Sequence, residues 1–328
     1  MKSFAAAVPF VSLVAATQSL VARAPEVDDT AVLNYALTLE HLESAFYEGG
    51  LSKFDDKAFS DAGLSASARP LFSQIAEHEK AHVAFLSNAL GANATKPCTY
   101  DFKYKDVLEF VATSQLLEGV GVSAYAGAAQ YIENPDYLTA AAVVLSTEAR
   151  HASWVASAVN KVEPWSGPLD VPLTLDDVYS LASAFIVSCP ETNPKLPVKA
   201  FPAITVTPAA PKAGDEITVA YEGLADGQTA VFLTGLSPAF ASIKDGKVTV
   251  PANLTGTVYM VINQGDQQSV NDDTTAAGPA VFQFQKAIAT GNDTKMTSTS
   301  DSSDGAASIS NSMLALVASV VAGTLMLI

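Results

Sequence analysis

Glu148-Ala149-Arg150-His151 sits in a helical period running from about Tyr137 to Val159, and it sets a carboxylate and an imidazole three residues apart. Residues at i and i+3 share a helix face, so this pair presents one oxygen and one nitrogen to a common point. That is metal-ligand spacing. Glu79-Lys80-Ala81-His82 repeats it on an earlier helical stretch that begins near Pro70 and ends at Leu90-Gly91. Two further stretches each carry a carboxylate on an otherwise apolar face. Glu40 shares the face of Leu33, Ala36, Leu37 and Tyr47 between about Ala31 and Tyr47, and Glu118 shares that of Val111, Val122, Tyr125 and Ala129 between about Asp106 and Tyr131. An apolar face turns toward a core, where an unpaired carboxylate is costly, so each needs a partner.

In chain order the four helices supply Glu40, then Glu79 with His82, then Glu118, then Glu148 with His151. One Glu from each of two helices and Glu-x-x-His from each of the other two is the ligand pattern of a four-helix di-iron or di-manganese site. Carboxylates bridge and neutralise two cations, while imidazole suits iron or manganese and leaves positions open for dioxygen or peroxide. Glu43 competes with Glu40 for the first position. Tyrosine spacing favours Glu40, because Tyr47 and Tyr125 stand seven residues after Glu40 and Glu118 respectively. The two tyrosines either stand beside the metals to steady an intermediate or are core aromatics bonded to buried carboxylates. His41 and His78 are expected at the rim, although His78, four residues before His82, could replace Glu79 as its partner.

The rest of the chain frames this bundle. Gly49-Gly50 is expected to end the first helix, a polar loop to follow from Leu51 to Ala68, and Ala92 to Lys105 to cross outside the bundle. Gly119, Gly121 and Gly127 permit close helix approach. A fifth helix is expected from about Thr174 to Ser188, with Thr174 and Asp177 as a reciprocal cap. Cys98 and Cys189 can form one disulfide closing the helical region; as separate thiols neither lies near a Glu/His pair. The expected organisation is α+β and multidomain: a bundle over 28–190, a Pro-rich linker over 191–202, a small immunoglobulin-like β-sandwich over 203–287 that serves as spacer or binding module, and a Ser/Thr-rich stalk over 288–312.

The ends read as addresses. Residues 1–20 have the basic start and apolar run of a signal peptide, with cleavage between Ala16 and Ala24. Residues 313–328 form an apolar tail after small residues at Ser303, Asp304 and Gly305, the pattern of glycosylphosphatidylinositol attachment; a C-terminal transmembrane anchor is the alternative. Sequons at Asn93, Asn253 and Asn292 agree with export. A net charge of −16 with no cluster of Lys and Arg excludes nucleic acid as a partner and favours cations. The expected partners are metal ions, a membrane through the lipid anchor, and wall polysaccharide or protein.

Leu39-Glu40-His41-Leu42-Glu43-Ser44-Ala45-Phe46-Tyr47, Glu77-His78-Glu79-Lys80-Ala81-His82, Glu118, Glu148-Ala149-Arg150-His151 and Phe185-Ile186-Val187-Ser188-Cys189-Pro190 together resemble the ferritin-like superfamily. The closer likeness is to secreted fungal ferritin-like proteins and plant desiccation-related proteins linked with stress or starvation. That resemblance spans roughly residues 28 to 200 and implies a ferritin-like bundle with a di-metal centre. The expected function is a cell-surface oxidase, ferroxidase or peroxide scavenger in stress response. The competing expectation is a non-catalytic structural or stress-protective protein that uses the bundle as a scaffold.

Overall fold

The computed structural model describes residues 27–265, 269–286 and 288. The expected leader, Asn292, Ser303, Asp304, Gly305, the stalk beyond Ile288 and the apolar tail lie outside them.

Four long helices build the bundle: α1 (Asp29–Lys53), then, after the short α2 (Asp56–Asp61), α3 (Ala68–Leu90), α4 (Val107–Ala128) and α5 (Pro135–Trp154). A shorter α6 spans Leu175–Ser183. Side-chain caps start them where local chemistry requires: Asp28 accepts from the Ala31 amide at 2.8 Å, Asp106 from that of Glu109 at 2.9 Å, and Asn134 precedes Pro135 in the first turn of α5. Helix α1 packs against α3, and α4 against α5, giving two helical hairpins face to face. After Trp154 the chain continues as one π-helical segment, Val155–Val159, before leaving the bundle.

Two expectations about helix ends are corrected. Gly49-Gly50 does not stop α1, which runs on to Lys53. A Cβ on Gly50 would stand 2.2 Å from Cε2 of Phe110, so the glycine's weak helix propensity is offset by letting that ring pack against the backbone. The fifth helix ends at Ser183 rather than Ser188, and Ile186–Ser188 forms a strand, β2, antiparallel to β1 (Thr99–Tyr100). The Cys98–Cys189 disulfide lies immediately beside this pairing. A non-local ladder and a covalent bond override the local helical tendency there.

Seven further strands follow: β3 (Thr205–Thr207), β4 (Glu216–Ala220), β5 (Thr229–Leu233), β6 (Ala239–Ser242), β7 (Lys247–Thr249), β8 (Thr257–Asn263) and β9 (Thr275–Gln283). They form a three-stranded sheet in the order β3-β4-β7 and a four-stranded sheet in the order β6-β5-β8-β9. Alternation explains how the four-stranded sheet is used on both faces. Ala230, Phe232, Val258, Met260 and Ile262 join Ile217, Val219 and Val248 of the other sheet in one core. The intervening Val231, Leu233, Tyr259 and Val261 join the core of the bundle. That is why β5 and β8 are apolar at nearly every position: a strand covered on both faces has no polar side. The Tyr259 hydroxyl ties the layers, donating to the Gly119 carbonyl of α4 and accepting from Ser123, each at 3.1 Å.

Candidate metal centre

The four helices bring Glu40, Glu79, His82, Glu118, Glu148 and His151 together at the middle of the bundle. The four carboxylates are at most 1% exposed. His82 Nδ1 lies 3.2 Å from one oxygen each of Glu40, Glu79 and Glu148. His151 Nδ1 lies 3.2 Å from Glu118 Oε2 and 3.3 Å from Glu79 Oε1. Two groups able to hold a metal ion result, Glu40-Glu79-His82-Glu148 and Glu79-Glu118-Glu148-His151, with the ligand atoms of each within 4.8 Å of one another. Glu79 and Glu148 belong to both groups, so they are the carboxylates that two cations would share. Glu40 with His82 closes one end and Glu118 with His151 the other.

Buried oxygens without partners test whether this donor set suits cations. Glu148 Oε2 is buried with no polar partner among the described residues, while Glu79 Oε1 and Glu148 Oε1, also buried, have only the shared imidazole nitrogens of His151 and His82, at 3.3 and 3.2 Å. These belong to the two shared residues. Native interiors seldom leave such acceptors orphaned, and a hard or borderline divalent cation is the partner that carboxylate oxygens with imidazole accept best.

The charges point the same way. Burial, with help from Glu79, raises Glu40 to about 7, although His82 and Tyr125 act against it. Burial and the neighbouring Glu79 and Glu118 push Glu148 well up, and burial with Glu148 does so to Glu43. Burial alone would also raise Glu79, but hydrogen bonds from His151 and His82 outweigh it and hold that carboxyl at about 2. Burial opposes charge on His82, yet Glu148, Glu40 and Glu79 bring it up to about 12, and Glu118 with Glu79 bring His151 up to about 9. Without cations, protons on carboxylates and imidazoles hold the cluster together. Metal binding would displace them.

Each tyrosine crosses to the other hairpin. Tyr47 of α1 donates to Glu118 Oε1 of α4, and Tyr125 of α4 donates to Glu40 Oε1 of α1. Burial first, and the adjacent carboxylate second, keep both phenols well above their usual range. The reciprocal pairing relates the two hairpins as near-copies. Glu43 falls in neither metal-binding group; its Oε1 and Glu148 Oε2 would each lie 3.2 Å from a Cβ on Gly121. Gly121 therefore makes room for two carboxylates rather than for a helix. Gly127 likewise admits an extended segment, since its Cβ would stand 1.7 Å from the Leu173 carbonyl oxygen.

His41 lies at the edge, with Nε2 3.2 Å from the Thr95 carbonyl. His78 is exposed, as its rim position implies, but it also reaches His151: Nδ1 to Nε2 is 2.9 Å. Sequence spacing could have suggested this contact only through its four-residue offset from His82, which says nothing about a residue on α5. Asn93 and Asn253 are both exposed.

Comparison with known proteins agrees with this geometry. The family model of the ferritin-like domain matches residues 28–161. Those residues form a ferritin-like domain. Among curated proteins, Protein rds1 of Schizosaccharomyces pombe is 32% identical to the chain over 179 residues, covering 54% of this chain and 44% of the relative. The chain thus spans less than half the length of that relative.

Proposed function

We propose that this is a di-metal oxidoreductase of the ferritin-like class, holding two iron or manganese ions and turning over dioxygen or peroxide. The observation that carries the reading is the pair of buried carboxylates, Glu79 and Glu148, that belong to both ligand groups and have too few donors for their oxygens, Glu148 Oε2 having none among the described residues. Two divalent cations would offset four carboxylates with both histidines neutral. Bound iron or manganese would supply the one-electron steps that reduction of dioxygen or peroxide requires.

The protein's own residues would hold and orient. Tyr47 and Tyr125 fix the rotamers of Glu118 and Glu40, and His78 fixes the ring of His151. A pocket with a wholly apolar surface, lined by Leu39, Phe85, Ala140 and Val144 among others, runs between α1, α3 and α5 to Tyr125. It suits entry of a small apolar molecule such as dioxygen.

We further infer that the two sheets form an immunoglobulin-like sandwich and that the protein works outside the reducing cytosol. The shared core of the sheets supports the first and the Cys98–Cys189 disulfide supports the second. A glycosylphosphatidylinositol anchor at the cell surface remains part of this proposal on the pattern of the sequence alone. Among the described residues no helix is long and apolar enough to cross a membrane.

Elemental analysis after anaerobic reconstitution tests the metal reading. Roughly two iron or manganese ions per chain are expected. Fewer than one, together with unchanged melting of Glu148→Ala, overturns it. Dioxygen uptake on adding Fe(II) then separates an oxidoreductase from a binder.

A further inference from the structure

A cleft opens on the far side of α4 and α5 from the bundle centre, where the four-stranded sheet meets the helices. It is a shallow cleft, with about 670 Å³ of empty space when the open solvent at its mouth is counted, and binding sites favour junctions of this kind. Its lining is mixed in character. Gln115, Ser123, Ser153, Thr257 and Gln285 supply amides and hydroxyls, and Trp165 supplies an aromatic wall.

Trp165 is 65% exposed, and it sits on a segment held at several points. The Glu163 amide donates to the Lys286 carbonyl at 2.8 Å, and the Thr257 amide donates to Ser166 Oγ at 3.0 Å. Gly256, at φ +71°, packs so tightly that a Cβ there would stand 2.0 Å from Ser166 Cα. An indole left in solvent on a pinned loop forgoes burial of a large apolar surface. A singly exposed apolar side chain is ordinary; this one is notable because it walls a cleft lined with amides and hydroxyls. Gln285 also borders the cleft, and its Nε2 donates to Thr257 Oγ1 at 3.2 Å, which fixes its amide beside the indole wall.

We infer that this cleft binds a neutral oligosaccharide. A pyranose has an apolar C–H face that stacks on an indole and a rim of hydroxyls that pair with amides and side-chain hydroxyls. Among the described residues Asp170 is the sole charged one in the lining, and no Lys or Arg there stands ready to hold a phosphate or carboxylate. An apolar ligand would strand the polar groups. With one carboxylate rather than a facing pair, the cleft binds sugar and does not hydrolyse it. This site is independent of the metal centre.

The test is calorimetric titration of the intact protein with laminarihexaose, cellohexaose, chitohexaose and α-mannohexaose, followed in parallel by tryptophan emission. At least one is expected to bind with Kd on the order of 10 μM to 1 mM. Trp165→Ala should weaken it at least tenfold with Tm unchanged, Trp165→Phe should retain part of it, and Glu148→Gln should bind as the parent does. Absence of binding by all four at millimolar concentration, or equal binding by Trp165→Ala, overturns the proposal.

Discussion

His78 Nδ1 lies 2.9 Å from His151 Nε2, and the two rings stack with centroids 5.2 Å apart and planes 9° apart. Burial and the neighbouring His151 push the His78 ring down toward its neutral form, in which Nδ1 can accept. His151 then donates its Nε2 hydrogen to His78, so that the Nδ1 proton it directs at Glu118 and Glu79 is the one a metal ion would replace. His78→Ala is expected to lower metal affinity by about 10–100-fold, the usual effect of losing a partner behind a ligating histidine. Chelator competition measures this, and melting of the metal-free protein should be unchanged because His78 is exposed.

The crossed tyrosines make a separate prediction. Tyr125→Phe leaves Glu40 Oε1 without its donor, and Tyr47→Phe does the same to Glu118. Each is expected to destabilise the metal-free protein by about 1–3 kcal/mol, read as a lower urea midpoint. An unchanged midpoint in both would mean that the hydroxyls contribute nothing to holding the hairpins together.

Two glycines of α4 should respond differently to the same substitution. A Cβ on Gly127 would stand 1.7 Å from the Leu173 carbonyl oxygen, a backbone atom, whereas one on Gly119 would meet nothing nearer than the Tyr259 hydroxyl at 4.0 Å. Gly127→Ala is expected to cost upwards of ~3 kcal/mol because the backbone must move. Gly119→Ala should be neutral or, through helix propensity, stabilising by up to ~1 kcal/mol. Thermal melting of the pair decides it.

Asp177, in the first turn of α6, is raised from 3.8 to about 7, by burial first and by Asp272 and Asp176 in addition, against hydrogen bonds to Thr174. The folded state therefore holds this proton more tightly than the unfolded state does. Its effect on stability is most favourable below the unfolded value of 3.8 and is lost as pH rises through about 7. Asp177→Asn should flatten that part of the pH profile and be the more stable protein at about pH 8, by on the order of 2–4 kcal/mol. Denaturant titrations across this range, with metal removed by chelation, provide the comparison.

The Cys98–Cys189 bond closes a loop of 91 residues across the crossover and the end of α6. Replacing both cysteines by serine is expected to cost about 2–5 kcal/mol, chiefly by freeing the unfolded chain. The helices should persist, since α1, α3, α4 and α5 pack without it. Circular dichroism before and during melting separates the two effects.

Along the helices, period and spacing in the sequence determined which residues share a face. Glu40, Glu79, His82, Glu118, Glu148 and His151 were legible because i, i+3 and i+4 neighbours meet within one helix whatever surrounds it. The capping box of Thr174 and Asp177 was legible for the same local reason. What crosses between elements was not. That Tyr47 serves Glu118 rather than the Glu40 of its own helix, that His78 supports His151, and that α1 continues through Gly49-Gly50 against Phe110 all depend on groups distant in the chain. So does the passage of Ile186–Ser188 from helix to strand, and the two-sided burial of β5 and β8 between the helices and the second sheet. Local geometry sets the faces. Which faces meet is settled only by packing and hydrogen-bond satisfaction among residues far apart in sequence, and in the metal centre by the burial of more carboxylates than the protein's own donors can satisfy.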